Sequence, residues 1–596
     1  MRRLFPAVLL LCALLGAGLV VDVLTARPAS AHATVTTTTP ADGARLDEVP
    51  AEVTISFNES VSLGAGYARV LDGAGERVDT GVAEVRDQTV TVPLRDDLPD
   101  AGYVVTYRVV SADSHPVSGA FSFVVGDAEA VDAGSVDVAD DVDPVIGTAL
   151  PAARWLGYLG LALGLGVPLT LATCWPGGWR LPLLRRATLG GLAAVVVGAA
   201  LSVLLQGPYA AAAGIGSLLD GELLGSTLGS PYGRTLVLRA ALAALLGVVL
   251  AFGWQRSRAP GLPVLATAGV LGAGLVVAVA AVGHPVAGAT PVLAVAVAAV
   301  HVAAMSGWLG GLAALFGGAL RGGTPAAELL AALPRWSKLA AGLIGALVVT
   351  GVLQSVREVG SFAGLVQTGY GWVLLAKLAV VLVVFVAALV SRDWVQQRLG
   401  ARSRPGRRVV AQAFAAGADA PVDEPARAEA PVEQTVGAEA PVEEPAHLGV
   451  LRRSVLVELA GAVVVLALSA VLVSQPPATA ALAVPVEATL PLQSASGTAG
   501  NGTVQVSLDP ARPGPTSMHV YLYDADGQLT QPQQISVTLT ELAQEIGPLD
   551  VELAGAGPGH YVADPVLPTA GSWTLAVTVR LDEFTAVTAS TVFPVR

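Results

Sequence analysis

Chemistry concentrates first at the end of an apolar leader, Ala29-Ser30-Ala31-His32. Met1-Arg2-Arg3 is basic, Leu4 to Val21 is apolar, and Ala29-x-Ala31 is a small-residue cleavage site, so residues 1–31 read as a secretory signal peptide. Cleavage after Ala31 makes His32 the amino terminus, where a free α-amine and an imidazole can chelate one metal ion together. Asp113-Ser114-His115 offers a carboxylate and a second imidazole. Alternate residues of a strand share a face, so Asp113 and His115 are expected to project together, with Pro116 ending regular pairing. Three nitrogens and one oxygen suit the tetragonal geometry of Cu(II). The α-amine, whose ordinary pKa is about 7.7–8.0, must lose a proton to bind, so affinity is expected to fall on acidification.

A second group lies in the apolar middle of the chain. His284-Pro285 falls at the end of one long apolar run, and His301 lies about ten residues into the next. At ~1.5 Å per residue, His301 is ~15 Å deep, near the midplane of a bilayer. Ionisable residues at that depth are rare and face a cavity or the bundle interior. Met305 at i+4 and Trp308 at i+7 are expected on the same helix face as His301. Imidazole with thioether suits copper, the thioether favouring Cu(I); Met305 reads equally as a gap-filling core residue. Gly307-x-x-x-Gly311 and Gly160-x-x-x-Gly164 read as close helix packing. Lys377 and Arg239 read as snorkelling or paired within the bundle, and Cys174 as an inert buried thiol or a soft ligand near an exit.

The elements that must carry these residues follow from patterning. The 596 residues are 53% hydrophobic and only 14% charged, with mean hydropathy +0.63, which places the chain in the membrane class. Eight apolar runs near 150–173, 187–206, 235–253, 263–283, 291–316, 338–356, 370–391 and 454–473 each approach the ~20 residues that a spanning helix needs. Arg180, Arg185, Arg186, Arg256, Arg258, Arg321, Arg335, Lys338 and the run from Arg392 to Arg408 fall in alternate loops, while the other loops carry little more than Arg234 and Arg357. The positive-inside rule then puts the amino terminus outside, and an even number of spans returns the carboxyl terminus there.

Before the spans, Val53–Phe57, Val90–Val92, Tyr103–Val109 and Phe121–Val125 alternate like strands between turns such as Asp72-Gly73-Ala74-Gly75. A Greek-key β-sandwich is expected over 32–126, followed by a flexible acidic linker, 127–147. From His32 to Ala149 there are 21 acidic residues against 6 arginines, a net −15, which argues against a nucleic-acid partner. The transmembrane helices 1–7 occupy 148–391. Residues 392–453, with Ala-Pro-Val-(Asp/Glu) repeats at 420, 430 and 440, read as a disordered cytoplasmic loop ahead of helix 8 at 454–473. Residues 490–596 read as a second extracytoplasmic β-sandwich, on strands such as Val504–Leu508, His519–Tyr523, Ile535–Leu539 and Trp573–Val577. Only Cys12 and Cys174 are present, and Cys12 leaves with the leader, so no intramolecular disulfide staples the outer domains.

The segments His32-Ala33, Thr39-Pro40-Ala41-Asp42-Gly43, Ile55-Ser56-Phe57-Asn58-Glu59 and Ser111-Ala112-Asp113-Ser114-His115-Pro116-Val117-Ser118-Gly119 resemble the CopC family of periplasmic copper-binding proteins. The resemblance implies a β-sandwich binding Cu(II) through His32, Asp113 and His115. Glu59 is then either a carboxylate behind the metal ligands or an exposed one. A domain without methionine lacks the Cu(I) site of some members. Gly283-His284, His301 through Trp308-Leu309-Gly310-Gly311, and Tyr370-Gly371 with Lys377 resemble CopD, the multispan partner of CopC. A CopC domain fused to a CopD domain resembles the YcnJ type of bacterial copper-uptake protein, and the C-terminal domain looks like the exported YtkA-like modules, in which Met518-His519 and Gly559-His560-Tyr561 could form another soft copper site.

These readings converge on a multi-pass protein of the bacterial cytoplasmic membrane with both end domains extracytoplasmic. Copper ion is its ligand and the lipid bilayer its surroundings. It captures Cu(II) outside and passes copper inward by His284, His301 and Met305, with an extracytoplasmic copper chaperone or reductase as a further expected partner. The chain shows no nucleotide-binding loop, no Ser/His/Asp constellation and no paired carboxylates, so the reading is neither an ATP-driven pump nor an enzyme. The rivals are sequestration without transport and a haem-bearing redox protein with His284 and His301 as axial ligands.

Overall fold

The computed structural model describes residues 33–128, 142–256, 259–286, 290–395, 444–481 and 486–595, less isolated positions and short loops (34, 41, 58, 82, 113, 495–498, 510, 512, 526–527, 558 and 582–584). The expected signal peptide, most of the expected acidic linker and most of the repeat segment fall outside these residues, as do His32 and Asp113.

Eight strands form the N-terminal domain: β1 Val35–Thr39, β2 Ala44–Leu46, β3 Glu52–Phe57, β4 Ser62–Asp72, β5 Glu84–Arg86, β6 Thr89–Pro93, β7 Gly102–Val110 and β8 Pro116–Val125. They pair as two four-stranded sheets, β1-β3-β6-β5 and β2-β8-β7-β4. Alternation decides which side chains meet between the sheets. Val53, Ile55 and Phe57 of β3 point inward, with Val90 and Val92 of β6, to meet Tyr103, Val105, Phe121 and Phe123. Tyr103 stacks on Phe123 at 5.3 Å, and its hydroxyl donates to the Pro99 carbonyl.

Among the described residues, eight helices are long and apolar enough to cross a membrane: α1 Pro144–Thr173, α2 Pro182–Ala210, α3 Pro231–Gln255, α4 Leu262–Ala280, α5 Pro291–Arg321, α6 Ala326–Val359, α7 Gly369–Asp393 and α8 Gly449–Leu472. Number and order agree with the sequence reading, and the ends move. α1 begins at Pro144, capped by the Asp143 carboxylate, so the helix takes the last residues of the expected linker. Proline lies in the first turn of each of α1 to α5, where it loses no helical hydrogen bond. α6 begins at Ala326, so Arg335 and Lys338 ride on helix rather than loop, and it runs on through Arg357 and Glu358. Arg239 donates to the Ala278 and Val279 carbonyls at the end of α4, pairing within the bundle and closing carbonyls that a helix end leaves open. Cys174 is a free, buried thiol at the end of α1.

Small residues set the closest helix contacts. Gly160 and Gly164 lie against Gly191 and Leu192 of α2, and Gly311 lies against the Trp336 ring of α6. Gly310 is tighter: a Cβ there would stand 2.1 Å from the Ala162 carbonyl oxygen. That contact falls where α1 widens into a π turn, Ala162–Gly166.

The C-terminal domain contains β9 Val486–Ser494, β10 Ala499–Asp509, β11 Gly514–Pro515, β12 Ser517–Tyr523, β13 Gln534–Glu541, β14 Ile546–Val551, β15 Ala554–Gly557, β16 His560–Ala563, β17 Val566–Leu567, β18 Gly571–Arg580 and β19 Ala586–Val595. Nine of these strands form one continuous sheet, β14-β13-β18-β19-β9-β10-β12-β16-β15, whose inner faces share one core around Trp573, Leu575, Val520 and Leu522. The expected sandwich is thus a single sheet that coils around its core as a half-barrel.

Candidate metal centre

Both β domains gather at one end of the helical bundle. From the N-terminal domain, the fully buried Arg108 of β7 donates through Nε to the Ala210 carbonyl at the end of α2. The Ser114 carbonyl accepts from Gln206 Nε2 at 3.1 Å. Ser114 and His115 lie between β7 and β8, and Pro116 opens β8 by pairing with Val110. The expected strand alternation does not apply there, because Ser114 takes a left-handed φ of +76° that turns the chain back. A non-glycine residue in that region costs of order 1–3 kcal/mol. The turn is fixed by two backbone bonds, Ser114 N–H to the Ser111 carbonyl and Ser111 N–H to the His115 carbonyl.

This loop sets His115 against the membrane domain. The His115 and His284 ring centroids lie 5.4 Å apart, and both residues are buried. His284 stands in a short 3-10 turn, His284–Val286, between α4 and α5. Gly283 makes that turn with φ +77°, a conformation that a side chain would strain. Nδ1 of His284 is 3.2 Å from Oε2 of Glu358 near the end of α6. Arg357 Nε lies 3.9 Å from the other Glu358 oxygen, and the Arg357 guanidinium donates to the His284 carbonyl. The Tyr370 ring of α7 closes the other side, 6.3 Å from His284.

With Nδ1–H given to Glu358, the second nitrogen of His284 keeps its lone pair. That Nε2 is buried and has no hydrogen-bond partner. A carboxylate behind an imidazole whose other nitrogen is open is the arrangement that orients histidine toward a metal and raises its basicity. Among the described residues no three His, Cys, Asp or Glu side chains group as a full ligand set; His32 and Asp113 lie outside them.

The deeper residues are placed apart from this junction. His301 Nδ1 is 2.8 Å from the Thr350 hydroxyl of α6, and Thr350 in turn donates to the Ala346 carbonyl. Lys377 of α7 is near enough to act on His301 electrostatically. Met305 and Trp308 pack with Leu309, Ala162, Ala462 and Leu466, between α5, α1 and α8. The structure therefore brings His115 to His284 and leaves His301 a separate station with its own partner.

Sequence reasoning missed Glu358. The apolar run of α6 fades at Val356, and the adjacent Arg357-Glu358 pair reads as a loop. The available signal was a carboxylate at the C-terminal end of the span that follows the His301 helix.

The CopC domain model matches residues 35–126, and the model of copper resistance protein D, CopD, matches 330–420. The chain is similar to the copper transport protein CutJ of Bacillus subtilis (strain 168), 28% identical over 356 residues, which is 58% of this chain and 65% of that protein. It is also similar to protein YobA of Escherichia coli (strain K12), 34% identical over 98 residues, covering 16% of this chain and 79% of YobA. Among solved structures, CopC from Methylosinus trichosporium OB3b matches at 25% identity and TM-score 0.15, covering 17% of this chain and 99% of that one. The copper resistance protein PcoC from Escherichia coli matches at 20% identity and TM-score 0.14, covering 16% and 99%.

Proposed function

We propose that this chain, which belongs to the CopC and CopD copper families as a fusion of the two domains in one multi-pass membrane protein, captures copper on its outer face and passes it inward through the bundle. Cu(II) is held by His32, Asp113 and His115 of the N-terminal domain, which with the C-terminal domain lies outside the cytoplasm. The ion moves from His115 to His284, whose open Nε2 is oriented by Glu358, and then toward His301 and Met305. No group on this path is asked to make or break a covalent bond in a substrate.

The observation that carries the reading is the 5.4 Å approach of His115 to a carboxylate-backed His284. Domains joined in one chain meet at a high effective concentration, and here the capture loop itself lies against the entrance of the bundle. The relative named a copper transport protein, CutJ, matches across 58% of the chain. Copper must change oxidation state if the softer inner station is to hold it, and an extracytoplasmic reductase or chaperone partner would supply that step.

The test is copper uptake into proteoliposomes bearing the purified full-length protein, with Cu(II) bound at the outer domain read by electron paramagnetic resonance. His284→Ala is expected to abolish uptake and leave the Cu(II) signal of the outer site in place. Uptake at the wild-type rate refutes the path. Outer Cu(II) binding with no uptake in the wild type favours sequestration instead.

A further inference from the structure

A second pair of imidazoles meets in the C-terminal domain, far in sequence from the path just described. His519 lies on β12 and His560 on β16, strands that pair antiparallel with Tyr521 opposite His560. Their neighbours Met518, Val520 and Leu522 point into the core, so by strand alternation His519 and Tyr521 occupy the opposite face. That face is covered by the N-terminal domain. The Tyr521 hydroxyl lies 3.1 Å from Asp42 Oδ2, and its ring fills the space beside Gly43 in the turn between β1 and β2. His560 is fully buried there, with Tyr521 stacked on it at 4.3 Å.

The two imidazoles do not stack face to face. Their centroids are 5.4 Å apart with only 15° between the planes, yet His519 Nδ1 and His560 Nε2 are 3.2 Å apart. The nitrogens are closer than the centroids by about the two ring radii, so both lie near the line joining the ring centres. Each lone-pair direction lies in its ring plane, and the two aim at each other. Burial pushes the His560 imidazole down to about 3, helped by its neighbour, and burial also lowers His519. Both rings are therefore neutral ligands at ordinary pH. Asp42 and Asp564 act on His519 electrostatically and make the spot favourable for a cation. The outward nitrogen of His560, Nδ1, is buried with no hydrogen-bond partner.

We propose that His519 and His560 form a two-coordinate Cu(I) site at the joint between the two outer domains. Two in-line nitrogens suit a monovalent d10 ion. Zinc asks for four ligands and Cu(II) for a tetragonal set, whereas the described residues supply no third His, Cys, Asp or Glu. With a nitrogen–metal distance of ~2 Å, a collinear pair spans ~4 Å, so the rings part by under an ångström to admit the ion. The single proton between them moves to the outer nitrogen of its own ring, and loading releases no net proton. The site is independent of His32, Asp113, His115 and His284, and it would let the chain hold both oxidation states of copper on one side of the membrane.

The test titrates Cu(I) anaerobically into the full-length protein in detergent, in competition with a colorimetric Cu(I) chelator. His519→Gln and His560→Gln, which keep an amide able to hydrogen-bond, are each expected to remove one Cu(I) equivalent while the outer Cu(II) resonance is unchanged. His519→Cys is expected to restore the equivalent, with a sulfur ligand visible by X-ray absorption, and it decides the matter should the glutamine variants fail to fold. An unchanged Cu(I) count in the glutamine variants, or no sulfur-bound copper in His519→Cys, overturns the proposal. Loss of the outer Cu(II) signal in the wild type would defeat the transport reading and leave this site standing.

Discussion

Glu358→Gln isolates the role given to the carboxylate behind His284. The substitution keeps shape and volume and removes the charge 3.2 Å from Nδ1. Glu358 is nearly buried, so little water screens that pair, and its carboxylate both fixes the tautomer of His284 and strengthens Nε2 as a donor. Replacing such a partner typically costs 10–100-fold in metal affinity, which is ~1.4–2.8 kcal/mol at 1.4 kcal/mol per decade. His284→Ala removes the ligand itself and should cost more. The assay is a copper competition titration of full-length protein, paired with initial uptake rates at sub-saturating copper. The expected result is a loss of about one to two decades in the copper affinity of the junction, with Cu(II) bound by the outer domain unchanged. An affinity within twofold of wild type would refute the orienting role. A loss as large as that of His284→Ala would show that Glu358 is itself a ligand or that the turn has collapsed.

Two predictions concern stability. The buried Asp79 carboxylate accepts from Arg77 and from the Val70 and Gly81 amides; burial alone would raise its pKa, and these partners together hold it below the ordinary carboxylate value. A folded pKa below the unfolded ~3.9 means stability that is present above that pH and lost as pH falls through the folded value. Asp79→Asn should destabilise the N-terminal domain by ~1.5–3 kcal/mol at neutral pH and flatten its acid limb, read from hydrogen exchange of the β4 amides at several pH values. Gly310→Ala would drive a methyl group into the Ala162 carbonyl where α5 meets α1; an overpacking cost of ~1–3 kcal/mol is expected, seen as a lower melting temperature of the full-length protein in detergent.

Architecture was legible wherever one residue pattern has one physical solution. Apolar runs of bilayer length gave all eight spans, because a lipid-exposed backbone must close its own hydrogen bonds. Alternation at Val53, Ile55 and Phe57 announced a half-buried strand, and β3 follows it. Helix ends were less legible. Arg335, Lys338 and Arg357 read as loop charges, yet α6 extends over all three, because a helix that emerges from lipid can continue once partners meet its charged turns. The division of the C-terminal strands was hidden as well: alternating patterns mark an inner face but not whether two sheets or one curled sheet supplies it. The pairing of His115 with His284 lies beyond any periodicity, since 169 positions separate them in sequence and only the docking of one domain on another joins them.

That docking makes a prediction of its own, because the proposed hand-off would depend on a joint and not only on ligands. Gln206 is buried near the end of α2, and its amide donates to the carbonyl of Ser114, the residue immediately before His115. Ser114 is already held at φ +76°, so the loop carries conformational cost that its contacts must offset. Gln206→Leu removes the donor and leaves the Ser114 carbonyl facing an apolar side chain. A lost hydrogen bond of this kind is worth ~0.5–1.5 kcal/mol, and a stranded buried acceptor brings the cost to ~1–3 kcal/mol. Because the substitution lies outside both candidate ligand sets, Cu(II) binding by the outer domain should be unchanged. Uptake should fall by about 5- to 150-fold, as ~1–3 kcal/mol against the docked arrangement implies. Hydrogen exchange at the β7–β8 loop should rise in the same variant. Faster exchange with wild-type uptake would mean that copper reaches the bundle without the His115–His284 approach, and the path from the outer domain would have to be drawn elsewhere.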